Sequence, residues 1–330
     1  MTMSEPTNDT LGDKKVLLQV RDLKKHYALP QFFAQPKTVR ALDGVSFDIY
    51  ENETLAVVGE SGCGKSTLAK VIMQLESSTA GEMTLAGQPL ASISARDLTR
   101  SVQMIFQDPY GSLNPRKKIL QIIGEPLKIN TSLSDQEISE QVRQLMESVG
   151  LRPEQAERYP HMFSGGQRQR VGIARALTLN PKMIICDEPV SALDLSIQSQ
   201  VLNLLTKLQD ERGISYLFIS HDLAIVNHIA HRVVVMYLGK IVEMGQREDI
   251  FREPLHPYTK ALLDSTPSFI RGPKQVGAVL KGELPSPVDP PPGCTFHKRC
   301  PLAKGICTSV VPEIKKRDGR WVACHLVEGD

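Results

Sequence analysis

Residues 59–66 read Gly59, Glu60, Ser61, Gly62, Cys63, Gly64, Lys65 and Ser66, with Thr67 next. This G-x-x-x-x-G-K-S spacing suits the binding of oxyanions. Its glycines let backbone N–H groups turn inward with no Cβ in the way. A helix starting at the end of the run adds its positive N-terminal end. Lys65 offers a point charge for β- and γ-phosphates, and Ser66 offers a hydroxyl to Mg²⁺. A second handle lies at 183–188, where four apolar residues, Met-Ile-Ile-Cys, precede Asp187 and Glu188. Asp187 reads as the carboxylate for Mg²⁺. Glu188, one residue on, reads as the group that orients or polarises the attacking water. Together these residues point to cleavage of a nucleoside triphosphate.

Such chemistry needs a buried strand ahead of the loop and a helix behind it. Residues 54–58, TLAVV, form a short apolar run with β-branched members, as in a buried strand. A helical pattern follows over 66–74. Further strands are expected at 17–23, 45–49, 102–106, 183–186 and 215–219, with an irregular loop at 28–38 containing Pro30 and Pro36. Helices are expected at 134–150 and 165–179. Ile197, Val201, Leu204, Leu205 and Leu208 share one face of another helix. Alternating strands and helices predict an α/β fold with a mostly parallel sheet covered on both faces. Cys63 and Cys186 read as small packed residues.

Lys plus Arg number 39 against 37 Asp plus Glu, so the net charge of +2 argues against nucleic acid as a partner bound by bulk charge. No run approaches the ~20 apolar residues of a membrane-spanning helix. Residues 1–15 are polar, lack the core of a signal peptide and read as a loose tail. The chain is therefore expected in the cytoplasm, with any membrane role exercised through partners. Composition shifts near residue 266, and the proline-rich 284–293, LPSPVDPPPG, reads as a stiff linker. Beyond it lie Cys294, Cys300, Cys307 and Cys324, separated by five, six and sixteen residues. Four thiolates suit tetrahedral Zn²⁺ or a [4Fe–4S] cluster. A segment with one Trp and few aliphatics is expected to need such a staple to hold a fold.

Residues 163–168, Phe-Ser-Gly-Gly-Gln-Arg, place two glycines before a helix and so make a second anion-binding surface. One nucleotide does not need two such surfaces from one chain, so this one reads as serving a nucleotide held by another subunit. Here the sequence resembles the ATP-binding cassette (ABC) ATPases over about residues 17–265. The resemblance implies a P-loop NTPase core, an antiparallel β subdomain and a helical subdomain at about 108–180. It implies two cassettes joined head to tail, each completing the other's ATP site. Ser164, Gly165, Gly166 and Gln167 would then contact the partner's γ-phosphate. Gln107, within FQDP, would reach Mg²⁺ and the attacking water, Asp194 would belong to the D-loop, His221 would contact the γ-phosphate and Tyr27 would stack on adenine.

The segments FQDPYGSLNPR at 106–116, HPYT at 256–259 and GELPSPVDPPPGC at 282–294 are similar to ATPase subunits of bacterial dipeptide and oligopeptide importers. That resemblance implies an ABC ATPase domain over 16–265 and a C-terminal region over 266–330 whose four cysteines hold a [4Fe–4S] cluster, with Zn²⁺ as the alternative. It also implies a second, homologous ATPase subunit, two transmembrane permease subunits and, indirectly, a periplasmic peptide-binding protein. The chain would sit peripherally on the cytoplasmic face of the inner membrane and energise dipeptide import. Related importers take nickel complexes, glutathione or antimicrobial peptides, and soluble non-transport ABC ATPases form a separate class.

Overall fold

The computed structural model describes residues 14–29, 37–265 and 284–329. Two long strands open the chain, β1 (Val16–Leu29) and β2 (Lys37–Tyr50), followed by β3 (Thr54–Val58) and α1 (Lys65–Ile72). Next come β4 (Ala80–Leu85), β5 (Gln88–Pro89), α2 (Ala95–Ser101) and β6 (Val102–Ile105). Three helices follow: α3 (Ile119–Asn130), α4 (Asp135–Ser148) and α5 (Gly165–Leu177). The chain then runs through β7 (Met183–Asp187), α6 (Leu195–Arg212), β8 (Ser215–Ile219) and α7 (Leu223–Ile229). It continues through β9 (Arg232–Tyr237), β10 (Lys240–Gln246), α8 (Arg247–Arg252) and α9 (Pro257–Ser265), and ends in β11 (Lys315–Arg317) and β12 (Arg320–Val322).

The main sheet has eight strands in the order β11-β12-β10-β9-β3-β8-β7-β6. The five from β9 to β6 are parallel, and the other three are antiparallel. Every residue of β3, β7 and β8 is buried, as the expected apolar runs require. The side-chain period of two then divides them between layers. Ile184, Cys186, Tyr216 and Phe218 face one core, built with α3 to α6. Met183, Ile185, Leu217 and Ile219 face another, built with β1, β2 and α1. Leu55 and Val57 of β3 join that second core, while Ala56 and Val58 join a third with Tyr237, Tyr258 and Phe296. Cys63 and Cys186 are packed as expected, at 1% and 0% exposure.

A second, antiparallel sheet runs β2-β1-β4-β5. Its first two strands are longer than the apolar pattern suggested. Residues 28–29 and 37–38 pair across β1 and β2 rather than forming a loop, and Pro30 and Pro36 lie outside the described residues. The polar run Lys24-Lys25-His26 hides the alternation. It is held by side-chain pairs instead, His26 to Asp43 at 3.0 Å and Lys24 to Asp22 at 3.0 Å. Most of the expected 1–15 tail lies outside the described residues, as do residues 266–283 around the composition shift.

Among the helices, α2, α3, α7, α8 and α9 were not expected. Gly124 and Pro126 obscure the pattern of α3, yet Ile119, Ile122, Ile123 and Leu127 are buried along it. Gly124 is there for close approach, since a Cβ would stand 2.8 Å from Ile138 Cγ2 on α4. Ser134 and Glu137 form a capping box at the start of α4.

The C-terminal region is not held by cysteines alone, which corrects the expected staple. Its strand β12 pairs with β10, Val322 opposite Glu243 and Trp321 opposite Met244. Phe296 is 1% exposed, with its ring 5.3 Å from those of Tyr237 and Tyr258. A single buried aromatic inserted into the cassette core replaces much of the aliphatic content the segment lacks.

Candidate active site

The loop between β3 and α1 is pressed against the backbones of β9 and β2. A Cβ at Gly59 would stand 2.3 Å from the Met236 carbonyl oxygen, and one at Gly64 would stand 2.2 Å from that of Ala41. Gly64 also has φ 108°, a region that excludes ordinary side chains. Helix α1 has no side-chain cap and no acid in its first turn, which leaves its N-terminal N–H groups for an anion. Lys65 is 6% exposed, and its ammonium donates to the carbonyls of Gly59 at 2.7 Å and Glu60 at 3.0 Å. Ser66 donates its hydroxyl to Asp187 Oδ1 at 3.2 Å, so the two expected Mg²⁺ handles meet. Burial pushes the Asp187 carboxyl above its ordinary range, Ser66 pulls it down, and Glu188 pushes it up again. Hard oxygen donors at the rim of a phosphate cradle fit Mg²⁺, which keeps several waters and asks for one or two protein ligands.

Beyond Asp187 the backbone turns sharply. Glu188 has φ 47°, and its N–H donates to the Ile219 carbonyl at 2.9 Å. A bulky residue in this region is strained by about 1–3 kcal/mol, and such strain concentrates at functional positions. The turn aims the Glu188 carboxylate between two groups. Gln107 donates Nε2–H to Oε2 at 2.8 Å, and His221 Nδ1 lies 3.0 Å from Oε1. Residues 81 and 33 positions away in the sequence thus meet one carboxylate, because β6, β7 and β8 end side by side.

Tyr27 lies on β1, half-buried, with its hydroxyl bonded to Glu76 and Thr67 and the Lys25 ammonium 4.8 Å from its ring centroid. It therefore borders the helix that follows the phosphate loop. Burial, then Glu76, push its phenol upward.

Ser164 caps α5, and its hydroxyl accepts from the Gln167 N–H at 3.3 Å while Gln167 Oε1 accepts from the Ser164 N–H. Gly165 and Gly166 open the helix against α6, where a Cβ at Gly166 would press on Ile197 Cγ2 at 2.5 Å. Asp194 begins α6 without a side-chain cap. Among the described residues no hydrogen bond joins 164–167 to the phosphate loop.

Sequence reasoning missed the partners of Glu60. Arg299 grips its carboxylate through two hydrogen bonds, at 2.8 and 3.0 Å, and its backbone N–H donates to the Tyr258 hydroxyl at 2.9 Å. The HPYT segment was the available signal for Tyr258; nothing local marks Arg299. The four late cysteines are gathered closely enough to influence one another. Burial first, and neighbouring thiols after it, push Cys294, Cys300 and Cys324 upward, with Cys307 among those neighbours. Even so, no group of three or more His, Cys, Asp or Glu among the described residues is arranged to hold a metal ion.

A family model described as ABC transporter matches residues 42–191, and one described as Oligopeptide/dipeptide transporter, C-terminal region, matches residues 242–307. The Di/tripeptide transport ATP-binding protein DppF of Pseudomonas aeruginosa (strain UCBPP-PA14) is 53% identical over 318 residues, covering 95% of this chain and 98% of the relative. The Dipeptide transport ATP-binding protein DppF of Escherichia coli (strain K12) is 54% identical over 318 residues, with 95% of each chain covered. A solved structure described as a dimeric post-hydrolysis state of the ATP-binding cassette MJ0796, bound to ADP and Pi, is similar with TM-score 0.62. It is 27% identical and covers 70% of this chain and 99% of its own.

Proposed function

The chain belongs to the ABC transporter family, among the ATP-binding subunits of dipeptide and oligopeptide importers, and from that premise we propose how its residues divide the work. It is an ATPase that energises peptide import. One observation carries the residue assignment: the Glu188 carboxylate, one position beyond the Asp187–Ser66 pair, is gripped by Gln107 and His221.

Gly59 to Thr67 cradle the triphosphate with inward N–H groups, and Lys65 turns from its own loop carbonyls toward the β- and γ-oxygens. Ser66, Gln107 and Asp187 would hold Mg²⁺, which would supply positive charge to neutralise the phosphates. Glu188 takes the proton of the attacking water, and His221 and Gln107 keep the carboxylate aimed at it. Tyr27 offers its ring to adenine. Ser164, Gly165, Gly166 and Gln167 serve the partner cassette's γ-phosphate, with Asp194 beside them at the dimer seam. That reading is supported by the dimer named in the similar cassette structure.

The rest of the assembly follows from the family. A second ATPase subunit and two permease subunits complete the importer, fed by a periplasmic peptide-binding protein. No helix among the described residues is long and apolar enough to cross a membrane, in keeping with a peripheral subunit on the cytoplasmic face of the inner membrane. Dipeptides are the proposed cargo. The division into an ATPase domain at 16–265, with its helical subdomain at about 108–180, and a C-terminal region at 266–330 is likewise proposed; the second family match starts earlier, at 242.

A [4Fe–4S] cluster on Cys294, Cys300, Cys307 and Cys324, with Zn²⁺ as the alternative, is supported by the convergence of the four thiols. No step is routed through it. Anaerobically purified protein with broad absorbance near ~400 nm would establish the cluster; stoichiometric zinc or metal-free protein would reject it. The ATPase assignment is tested by Lys65→Ala in the assembled importer, which abolishes ATP turnover from this site. Turnover at the wild-type rate with the partner's site silenced would overturn it.

A further inference from the structure

Glu60 is an acid inside a loop that must receive a polyanion. Its carboxylate side chain is 24% exposed. Left alone, it would oppose the phosphates across a short, poorly screened distance. The structure supplies the answer from 239 residues downstream. Arg299, with 7% of its side chain exposed, places its two terminal guanidinium nitrogens, Nη1 and Nη2, on the two carboxylate oxygens. This fork-to-fork geometry fixes orientation as well as charge.

The other polar groups of Glu60 are also taken. Its N–H donates to Tyr258, and its carbonyl accepts from Lys65. Tyr258 and Arg299 are themselves joined, because Phe296 packs on the Tyr258 ring and accepts the Arg299 N–H at 2.9 Å through its carbonyl. Arg299 also lies 5.9 Å from the Tyr237 ring centroid, and its Nη1 donates to that hydroxyl at 3.4 Å. The segment around Phe296 and Arg299 thus braces the first turn of the phosphate loop from below.

We propose that Arg299 is a positioning residue for nucleotide binding, acting through Glu60: it neutralises the loop's own carboxylate and holds the first turn in its phosphate-accepting shape. The proposal makes the C-terminal region part of the ATP site's support rather than an independent attachment. It rests on the reading of residues 59–67 as the ATP-binding loop.

The test is calorimetric titration of Mg²⁺-ATP into the full chain, with a melting curve for each variant. Arg299→Ala should weaken ATP binding about tenfold, within the ~5–150-fold range of couplings between sites. In a Glu60→Gln background the same substitution should change affinity less than about twofold, because the charge it left unpaired is gone. Arg299→Lys keeps the charge and loses the fork; it should fall between wild type and Arg299→Ala, and it serves as the readout if Arg299→Ala does not fold. Wild-type affinity in both Arg299 variants overturns the proposal, as does an equal loss in both Glu60 backgrounds. A wild-type chain that binds no Mg²⁺-ATP refutes the ATP-site reading itself, and the proposal with it.

Discussion

Replacing Glu188 by Gln separates chemistry from architecture at this site. The amide is isosteric with the carboxylate and can keep both observed contacts. Its oxygen accepts from Gln107 at the position now 2.8 Å away, and its NH₂ donates to His221 Nδ1, now at 3.0 Å, once the imidazole carries its proton on Nε2. The left-handed backbone at φ 47° is equally open to either side chain. The fold should therefore hold, with a melting midpoint within about 2 °C of wild type, since no mechanism for a large loss operates. Glu188 donates to or accepts from no group of the phosphate loop, so Mg²⁺-ATP affinity should be kept. What disappears is the proton acceptor. Removing a positioned general base typically costs about 10²–10⁴-fold, or ~3–5 kcal/mol of barrier. Phosphate release in a single turnover, measured in the assembled importer with the partner's site silenced, reads this directly. Hydrolysis within about threefold of wild type would refute the general-base assignment. A rate loss matched by an equal loss of ATP affinity would show instead that the residue binds nucleotide.

Two further substitutions probe the frame around the site. His256 is 1% exposed, its Nδ1 accepts from the Tyr258 N–H, and burial pushes its pKa down from 6.5 to about 3. The unfolded chain takes up a proton below pH 6.5 that the folded chain refuses, so stability falls with pH between 6.5 and about 3. His256→Asn keeps an acceptor for the Tyr258 N–H. Denaturant titrations should show wild type losing about 2 kcal/mol more than the variant between pH 7 and pH 5; parallel losses would place the histidine's proton elsewhere. At the contact of α3 and α4, Gly124→Val drives a side chain into Ile138 and Val142. It should destabilise the chain by about 1–3 kcal/mol in equilibrium unfolding, and an unchanged midpoint would mean the helices can part without cost.

The parts of this protein that were legible before the structure are those where local pattern and chemistry coincide. TLAVV, the glycine loop and MIICDE each carry apolar periodicity and a site residue within a few positions, and they fold as read. Helix α3 was missed because a glycine needed for packing and a proline inside the helix both read locally as breaks. The outer half of β1 was missed because polar side-chain contacts, rather than alternating apolar residues, hold Lys24 to His26 in place. Resemblance assigned Gln107 to Mg²⁺ and water and His221 to the γ-phosphate, but their convergence on Glu188 was not legible, since strand order, which brings three C-terminal ends together, is not written in any one segment. The Arg299–Glu60 pair was beyond reach for the same reason. The late cysteines drew attention away from Phe296, whose burial anchors that region to the cassette.

On the proposed reading, this chain supplies a phosphate loop for one ATP and the Ser164–Gln167 surface for the ATP of its partner. The most direct measurement is photolabelling of each ATPase subunit with an azido-ATP analogue in an assembled importer carrying Ser164→Arg in this chain only. Labelling and hydrolysis at the partner's loop should collapse, while this chain's own loop remains labelled. Loss of label from this chain's loop with the partner's retained would contradict it.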